Sequence, residues 1–352
     1  MTLFFRTFIR VLGFLSAFLV FILLVSFLII FFSDNKKNNN FSYSTGDPGS
    51  LNKIAILNLN GPILNDPIGD VNFFLRSNFD IIFIKQVKKL LEELETQKIK
   101  GLVISIDSPG GTVSASKKLY DLFINFKNKN SVKIYFHTNE LIASGAYWAA
   151  LSGDKIYADY GSLIGSIGVK GPDWIYYDNP IAISSGLIGN SIETKNGIKT
   201  FSNIAGNSKD LFNPFRPPTT KEIADLQNSV QNIYEDFVIY VSKSRKLEKD
   251  FITNDLGAMI YDSKTAKQKF LIDDVLPLNK VVNLITENLE LKDFQIIENY
   301  NNEISFLENL IYKNFFNNQI YENNNLKEQS VCKIIKYQLS SIVIQKRNLP
   351  DC

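Results

Sequence analysis

The chain has 352 residues, 45% of them hydrophobic and 21% charged, enough for one or two folded domains with a sizeable core. Its net charge is +2, and no long basic run interleaves with aromatics, so no nucleic-acid partner is expected. No CxxC or HExxH spacing suggests a metal, and the two cysteines, Cys332 and Cys352, make no disulfide scaffold. A single bridge between them is open outside the cytosol.

In chain order, the first element is a membrane span. Residues 1–10, MTLFFRTFIR, carry Arg6 and Arg10, and residues 11–32 follow without a charge. About twenty apolar residues cross a bilayer core as a helix. No A-x-A-like cleavage site follows Phe32, so the span reads as an uncleaved signal anchor. The arginines ahead of it hold residues 1–10 in the cytoplasm and send the remaining chain outside. Residues 33–52 are polar and rich in breakers, and read as a flexible tether.

Past the tether, strand and helix alternate. KIAILNLNGPI, from Lys53 to Ile63, reads as a strand. DIIFIKQVKKLLEELETQ places Ile84, Val87, Leu90, Leu91 and Leu94 at helical spacing. GLVISID is a short apolar run suited to a buried parallel strand. A helix is expected from about Thr112, a strand at SVKIYFH, a helix at ASGAYWAAL and a strand at DKIYADY. This order means βαβ units and a mostly parallel sheet covered by helices.

Ligands bind such folds at the loops beyond the strand ends. The first such loop is DSPGG, Asp107 to Gly111. Two glycines after a proline allow a sharp turn and bring bare N–H groups near a bound group. An ordinary strand-to-helix turn has the same composition. The second is IASGA, where Ala143, Gly145 and Ala146 leave the hydroxyl of Ser144 unobstructed. Ser144 reads either as a nucleophile or as the cap of the helix that follows. The third, GSLIGSIGVKG, is not a dinucleotide fingerprint and reads as a close-packed turn lining the site. A nucleophilic serine needs a base, and the only histidine is His137, seven residues upstream.

DSPGG, ASGAYWAA and GSLIGSIGV, in this order and spacing, resemble signal peptide peptidase A, also called protease IV. NGIKTFSNIAGNSKD, the helix-like TTKEIADLQNSVQNIYEDFVIYVSKSRKL and MIYDSKTAKQKFLIDDV extend the resemblance over residues 53–284. It implies an α/β fold of Clp protease/crotonase-like type: repeated β-β-α units with a mostly parallel sheet, behind one N-terminal transmembrane helix. It also implies a serine peptidase with a Ser-Lys dyad, working through an acyl-enzyme without metal or cofactor. Carried over by motif, Ser144 is the nucleophile and Lys209 the general base. Ser166 orients the lysine. The N–H of Gly145 and that of Gly110 or Gly111 form the oxyanion hole. A lysine base works only as the neutral amine, which burial favours, so Lys209 is expected to be desolvated and free of a carboxylate partner. His137 becomes a bystander. Two departures stand out: Ala146 replaces a frequent glycine, and the stretch between the GSIG loop and Lys209 is irregular.

The resemblance further implies a homo-oligomer, an octameric ring on the membrane surface, with Ser144 and Lys209 drawn from one protomer or from two neighbours. The implied substrates are apolar peptides such as remnant signal peptides, met at the outer face of a bacterial cytoplasmic membrane. Residues 285–352 have no match and are set apart as a C-terminal extension. Two other readings remain open: a membrane-tethered peptide-binding scaffold, and a crotonase-type acyl-coenzyme A enzyme.

Overall fold

The computed structural model of the chain describes residues 2–32, 40–65, 80–176, 182–185, 190–193 and 205–299. Cys332, Cys352 and the stretch ISFLENLIYKNFF lie outside the described residues, as does part of the irregular stretch ahead of Lys209. The chain divides into two compact units, Met1–Phe41 and a second from Ser42 onward.

The first unit is built on helix α1, Thr2–Phe32. Its segment Phe4–Ile22 is long and apolar enough to cross a membrane. The helix starts ahead of Arg6 and Arg10 rather than at Val11, because no proline or glycine interrupts the run from Thr2 to Leu12.

The second unit opens with β1 (Phe41–Gly46), β2 (Lys53–Asn60), β3 (Ile63–Leu64), β4 (Ile82–Phe83) and α2 (Ile84–Gln97). The centre of the unit comprises β5 (Gly101–Asp107), α3 (Val113–Asn130), β6 (Lys133–Thr138), β7 (Leu141–Ala143), α4 (Gly145–Ala150), β8 (Lys155–Ala158) and β9 (Leu163–Gly165). A hairpin, β10 (Ala182–Ser185) with β11 (Asn190–Glu193), precedes α5 (Thr220–Arg245). A π-helical turn, Phe251–Leu256, leads to β12 (Ile260–Asp262), α6 (Ser263–Gln268), β13 (Asp274–Val275), α7 (Leu278–Asn288) and β14 (Gln295–Asn299).

Seven strands form the main sheet in the order β1-β14-β2-β5-β6-β8-β13. Every pair from β14 to β13 is parallel. A second, three-stranded sheet runs β12-β9-β7. The repeat is therefore β-β-α: a strand in the main sheet, a short strand in the second layer, then a helix, most clearly in β6–β7–α4. This is the expected fold class.

Both faces of the main sheet are covered, so its strands read as unbroken apolar runs. On one face Ile54, Ile56, Val103, Tyr135, Tyr157 and Ile296 pack with Val281, Val282 and Ile285 of α7. On the other, Phe123 of α3 meets Phe136 of β6 edge to face, ring centroids 5.5 Å apart. Helix α2 buries Val87, Leu90, Leu91 and Leu94, four of the five expected residues, and Thr112 caps α3 as placed.

Three expectations on extent differ from the structure. The fold does not end at residue 284: that position lies inside α7, and β14 follows within the main sheet between β1 and β2. The second half of the expected tether is strand β1, tied to β14 by the Ser44 hydroxyl donating to Glu298 at 3.1 Å. The GSLIGSIG loop contains strand β9. Each of these segments is too short or too polar to carry a periodic signal.

Ending the chain at Leu291 removes β14 and uncovers the edge of β2. Ile296 and Ile297 are both buried, and burying two such side chains is worth about 3–6 kcal/mol. The melting temperature followed by circular dichroism is expected to fall by about 6 °C or more. Unchanged melting would make β14 dispensable.

Candidate active site

Ser144 sits at φ 52°, ψ −123°, between β7 and α4. A non-glycine residue in that region is strained by roughly 1–3 kcal/mol and persists only where its surroundings hold it. Its side chain does not cap α4, so the capping reading is absent from the structure. The backbone does the holding: the Ser144 N–H donates to the Gly165 carbonyl at 2.9 Å, and the Ser144 carbonyl accepts from Trp148 at 3.0 Å. The hydroxyl is half-buried and makes no hydrogen bond among the described residues.

The glycine loop lies directly against this turn. Gly110 is at φ 97°, and a Cβ there would stand 2.7 Å from the Gly145 nitrogen and 3.0 Å from Ser144 Cβ. The Gly110 N–H is occupied, donating to Ser108 Oγ at 3.1 Å. Gly111 is different. Ile63 N–H donates to the Gly110 carbonyl at 2.8 Å and Thr112 N–H to the Ile63 carbonyl at 3.1 Å. In a parallel bridge of this kind the Gly111 N–H points away from β3. Neither it nor the Gly145 N–H has a partner among the described residues, and a Cβ on Gly145 would stand 3.3 Å from the Gly111 nitrogen. Two backbone donors without a partner among the described residues thus lie close to Ser144.

Asp107, at the end of β5, ties the loops together. Its Oδ1 accepts from Thr138 Oγ1 at 2.7 Å and from the N–H groups of Asn139, Glu140 and Leu141 at 3.0, 2.8 and 3.3 Å. One carboxylate therefore shapes the turn feeding the strand that ends at Ser144. Next to it, Ser108 bridges Ile142, its N–H donating to Leu141 at 2.7 Å and its carbonyl accepting from Ala143 at 3.1 Å.

Ser166 joins the site through strand register. Ala143 of β7 pairs with Gly165 of β9, so Ser144 and Ser166 leave adjacent parallel strands side by side, at φ 52° and 53°. Ser166 is buried, with no side-chain hydrogen bond among the described residues. Sequence reading missed Ser116. Its Oγ is fully buried without a partner and would lie 2.0 Å from a Cβ on Gly145. A small residue one turn into a helix carries no signal that would have singled it out.

Lys209 is joined to Ser144 by no contact among the described residues. It lies exposed on the turn 206–212, its N–H donating to Gly206 at 3.4 Å, and its amine has no ion pair among the described residues. Among the described residues Lys209 is exposed rather than desolvated, and the adjacent Asp210 pairs with Arg216 at 2.7 Å. His137 is fully buried. Its Nε2 donates to the Leu276 carbonyl at 3.0 Å, with Asp159 at 3.9 Å. Burial depresses its pKa despite Asp159, which favours the neutral ring. Among the described residues no His, Cys, Asp and Glu group could hold a metal.

Replacing Gly145 by alanine forces a Cβ into Ser116 Oγ. Overpacking of this kind is expected to destabilise by about 1–3 kcal/mol in chemical denaturation. In a Ser116→Ala background part of that loss returns, because the 2.0 Å contact is removed while those to Ser116 Cβ at 2.8 Å and Gly111 N at 3.3 Å remain. Equal losses in both backgrounds would contradict the contact.

Residues 126–292, which include Ser144, Ser166 and Lys209, match Peptidase family S49. A putative signal peptide peptidase SppA of Enterococcus faecium is 27% identical over 300 residues, spanning 85% of this chain and 80% of that protein. A putative protease of Methanocaldococcus jannaschii, MJ0651, is 34% identical over 210 residues, 58% of this chain and 63% of that protein. A solved structure of the membrane-bound stomatin-specific protease 1510-N superposes with a TM-score of 0.39 at 14% identity, over 66% of this chain and 84% of that one. Residues 126–292 thus form a peptidase family S49 domain, the chain is similar to signal peptide peptidase A proteins, and it is a serine peptidase.

Proposed function

We propose that the chain is a membrane-anchored serine endopeptidase in which Ser144 is the nucleophile and Lys209 the general base. The observation that carries this reading is the strained turn at Ser144, where neither its hydroxyl nor the N–H groups of Gly111 and Gly145 have a partner among the described residues. In the proposed reaction Ser144 Oγ attacks the scissile carbonyl and passes its proton to the Lys209 amine. The carbonyl oxygen, now negative, accepts from Gly111 and Gly145. Gly110 gives the loop its close approach, its own N–H being spent on Ser108. Collapse expels the new amine, which takes the proton back from the lysine, and leaves an acyl group on Ser144. Water attacks that ester by the same route in reverse.

A lysine at its ordinary pKa of about 10.4 is protonated at neutral pH, and burial favours the neutral amine. Exposure of Lys209 on a single chain therefore supports a site completed between protomers of a homo-oligomer, such as an octameric ring, where a neighbour covers the amine. Ser166, beside Ser144 on the adjacent strand, is the group to orient it. Helix α1 supplies the anchor and, with Arg6 and Arg10 at its start, holds the peptidase unit outside the cytoplasm. Apolar peptides left in the membrane, such as remnant signal peptides, suit an enzyme so placed. The scaffold reading draws on the same exposure of Lys209: without a neighbour the site is incomplete.

The test is hydrolysis of apolar peptides by the detergent-solubilised chain and its Ser144→Ala and Lys209→Ala variants. Each substitution is expected to lower kcat by about 10⁴-fold or more. Mixing the two inactive variants is expected to restore part of the activity if the residues meet across protomers. An active Lys209→Ala enzyme would remove the lysine from the mechanism, and an inactive wild type would favour the scaffold.

A further inference from the structure

We infer that Arg216 is a positioning residue for Lys209: it captures the carboxylate next to the lysine and anchors the lysine's turn to the start of α5. The inference rests on the proposed role of Lys209 as base.

The guanidinium grips two carboxylates at once. Its Nε and one terminal nitrogen donate to Asp210 at 2.7 and 2.8 Å. Its terminal nitrogens donate to Glu222 at 2.9 and 2.7 Å. Such planar two-pronged pairing fixes direction as well as distance. Glu222 is itself immobilised by the capping box of α5, accepting from the Thr219 N–H at 2.8 Å. The neighbour Asp210 is therefore tied to the start of α5, while Lys209 itself stays exposed. Trp174 closes the platform: its ring lies 5.2 Å from the guanidinium and 5.3 Å from Phe212, and its indole N–H donates to the Asn213 carbonyl at 3.2 Å.

The charges around the turn are accounted for. Arg216 holds Asp210 and Glu222 below the usual carboxylate range, its hydrogen bonds being the first cause in each case. On the segment carrying Trp174, Lys170 pairs with Asp173 at 3.0 Å, and on the first turns of α5 Lys221 pairs with Asp225 at 2.8 Å. The charge next to the lysine that would change is thus Asp210. Without Arg216 that carboxylate is released beside the amine and stabilises its protonated form. The lysine then reaches its neutral form only at higher pH.

The test is kcat/KM against pH for the full chain in detergent, on one apolar peptide. Activity rises with pH as the base loses its proton. In Arg216→Met that rise is expected to move up by about one pH unit, with about a tenfold loss at neutral pH. Arg216→Met combined with Asp210→Asn returns the rise toward wild type. Arg216→Lys, which keeps the charge but not the fork, shifts it less than methionine does. A wild-type rise in Arg216→Met, or a double variant no different from the single, overturns the inference. If circular dichroism shows that Arg216→Met does not fold, Arg216→Lys is compared with and without Asp210→Asn, and the same reversal decides. Lys209→Ala run in parallel separates the two claims: its full activity would sink the base itself. Its inactivity, together with an unshifted Arg216 variant, would sink only the positioning role.

Discussion

The constraint on which the site depends is the backbone of Ser144, held at φ 52°. No serine rests there unaided. Two loops enforce it from opposite sides. On one side β9 takes the Ser144 N–H through the Gly165 carbonyl. On the other Gly110 sits so close that any side chain there would meet Gly145 and Ser144. The Asp107 carboxylate fixes the turn from which β7 departs, so that strand arrives between the two loops in one register only. Parallel pairing of β7 with β9 then places Ser166 beside Ser144. The second sheet thus has a clear purpose: it converts the ends of the main-sheet strands into a rigid frame around one hydroxyl.

The frame also explains which amides are free. Peptide groups in a sheet are obligatory hydrogen-bonding groups, and nearly every N–H in the DSPGG loop is spent. Ser108 bonds Leu141, Gly110 bonds Ser108 Oγ, and Thr112 bonds Ile63. Gly111 is left over because the bridge to Ile63 uses its two neighbours. Gly145 is left over because it is the first residue of α4. Neither amide has a partner among the described residues, and both lie beside the Ser144 turn. The fully buried, unpartnered Ser116 hydroxyl lies behind that pair, and glycine at 145 is what makes room for it.

Much of this was legible in the sequence. GLVISID reads as a buried strand because both of its faces are covered, and α2 reads as a helix because Val87, Leu90, Leu91 and Leu94 share one stripe. The three loops carrying Gly110, Gly111, Ser144, Gly145 and Ser166 were marked by small residues at strand ends. What periodicity does not show is long-range pairing: β1 and β14 are polar and short, and only their positions flanking one another make them strands. The Arg216 platform was equally invisible, since its partners Asp210, Glu222 and Trp174 come from three separate segments. Lys209 stood out only through family resemblance, as a charged residue in a polar stretch has no local signature. Among the described residues it lies exposed, with the adjacent Asp210 held by Arg216 and no ion pair on its amine.

The central claim is that Ser144 is a nucleophile activated by Lys209. Its most direct measurement is mass-spectrometric mapping of a fluorophosphonate adduct on the full chain. The account predicts a single adduct, on the peptide containing Ser144, and its loss in Lys209→Ala. An unlabelled Ser144 in the wild-type chain, or labelling undiminished without the lysine, would contradict it.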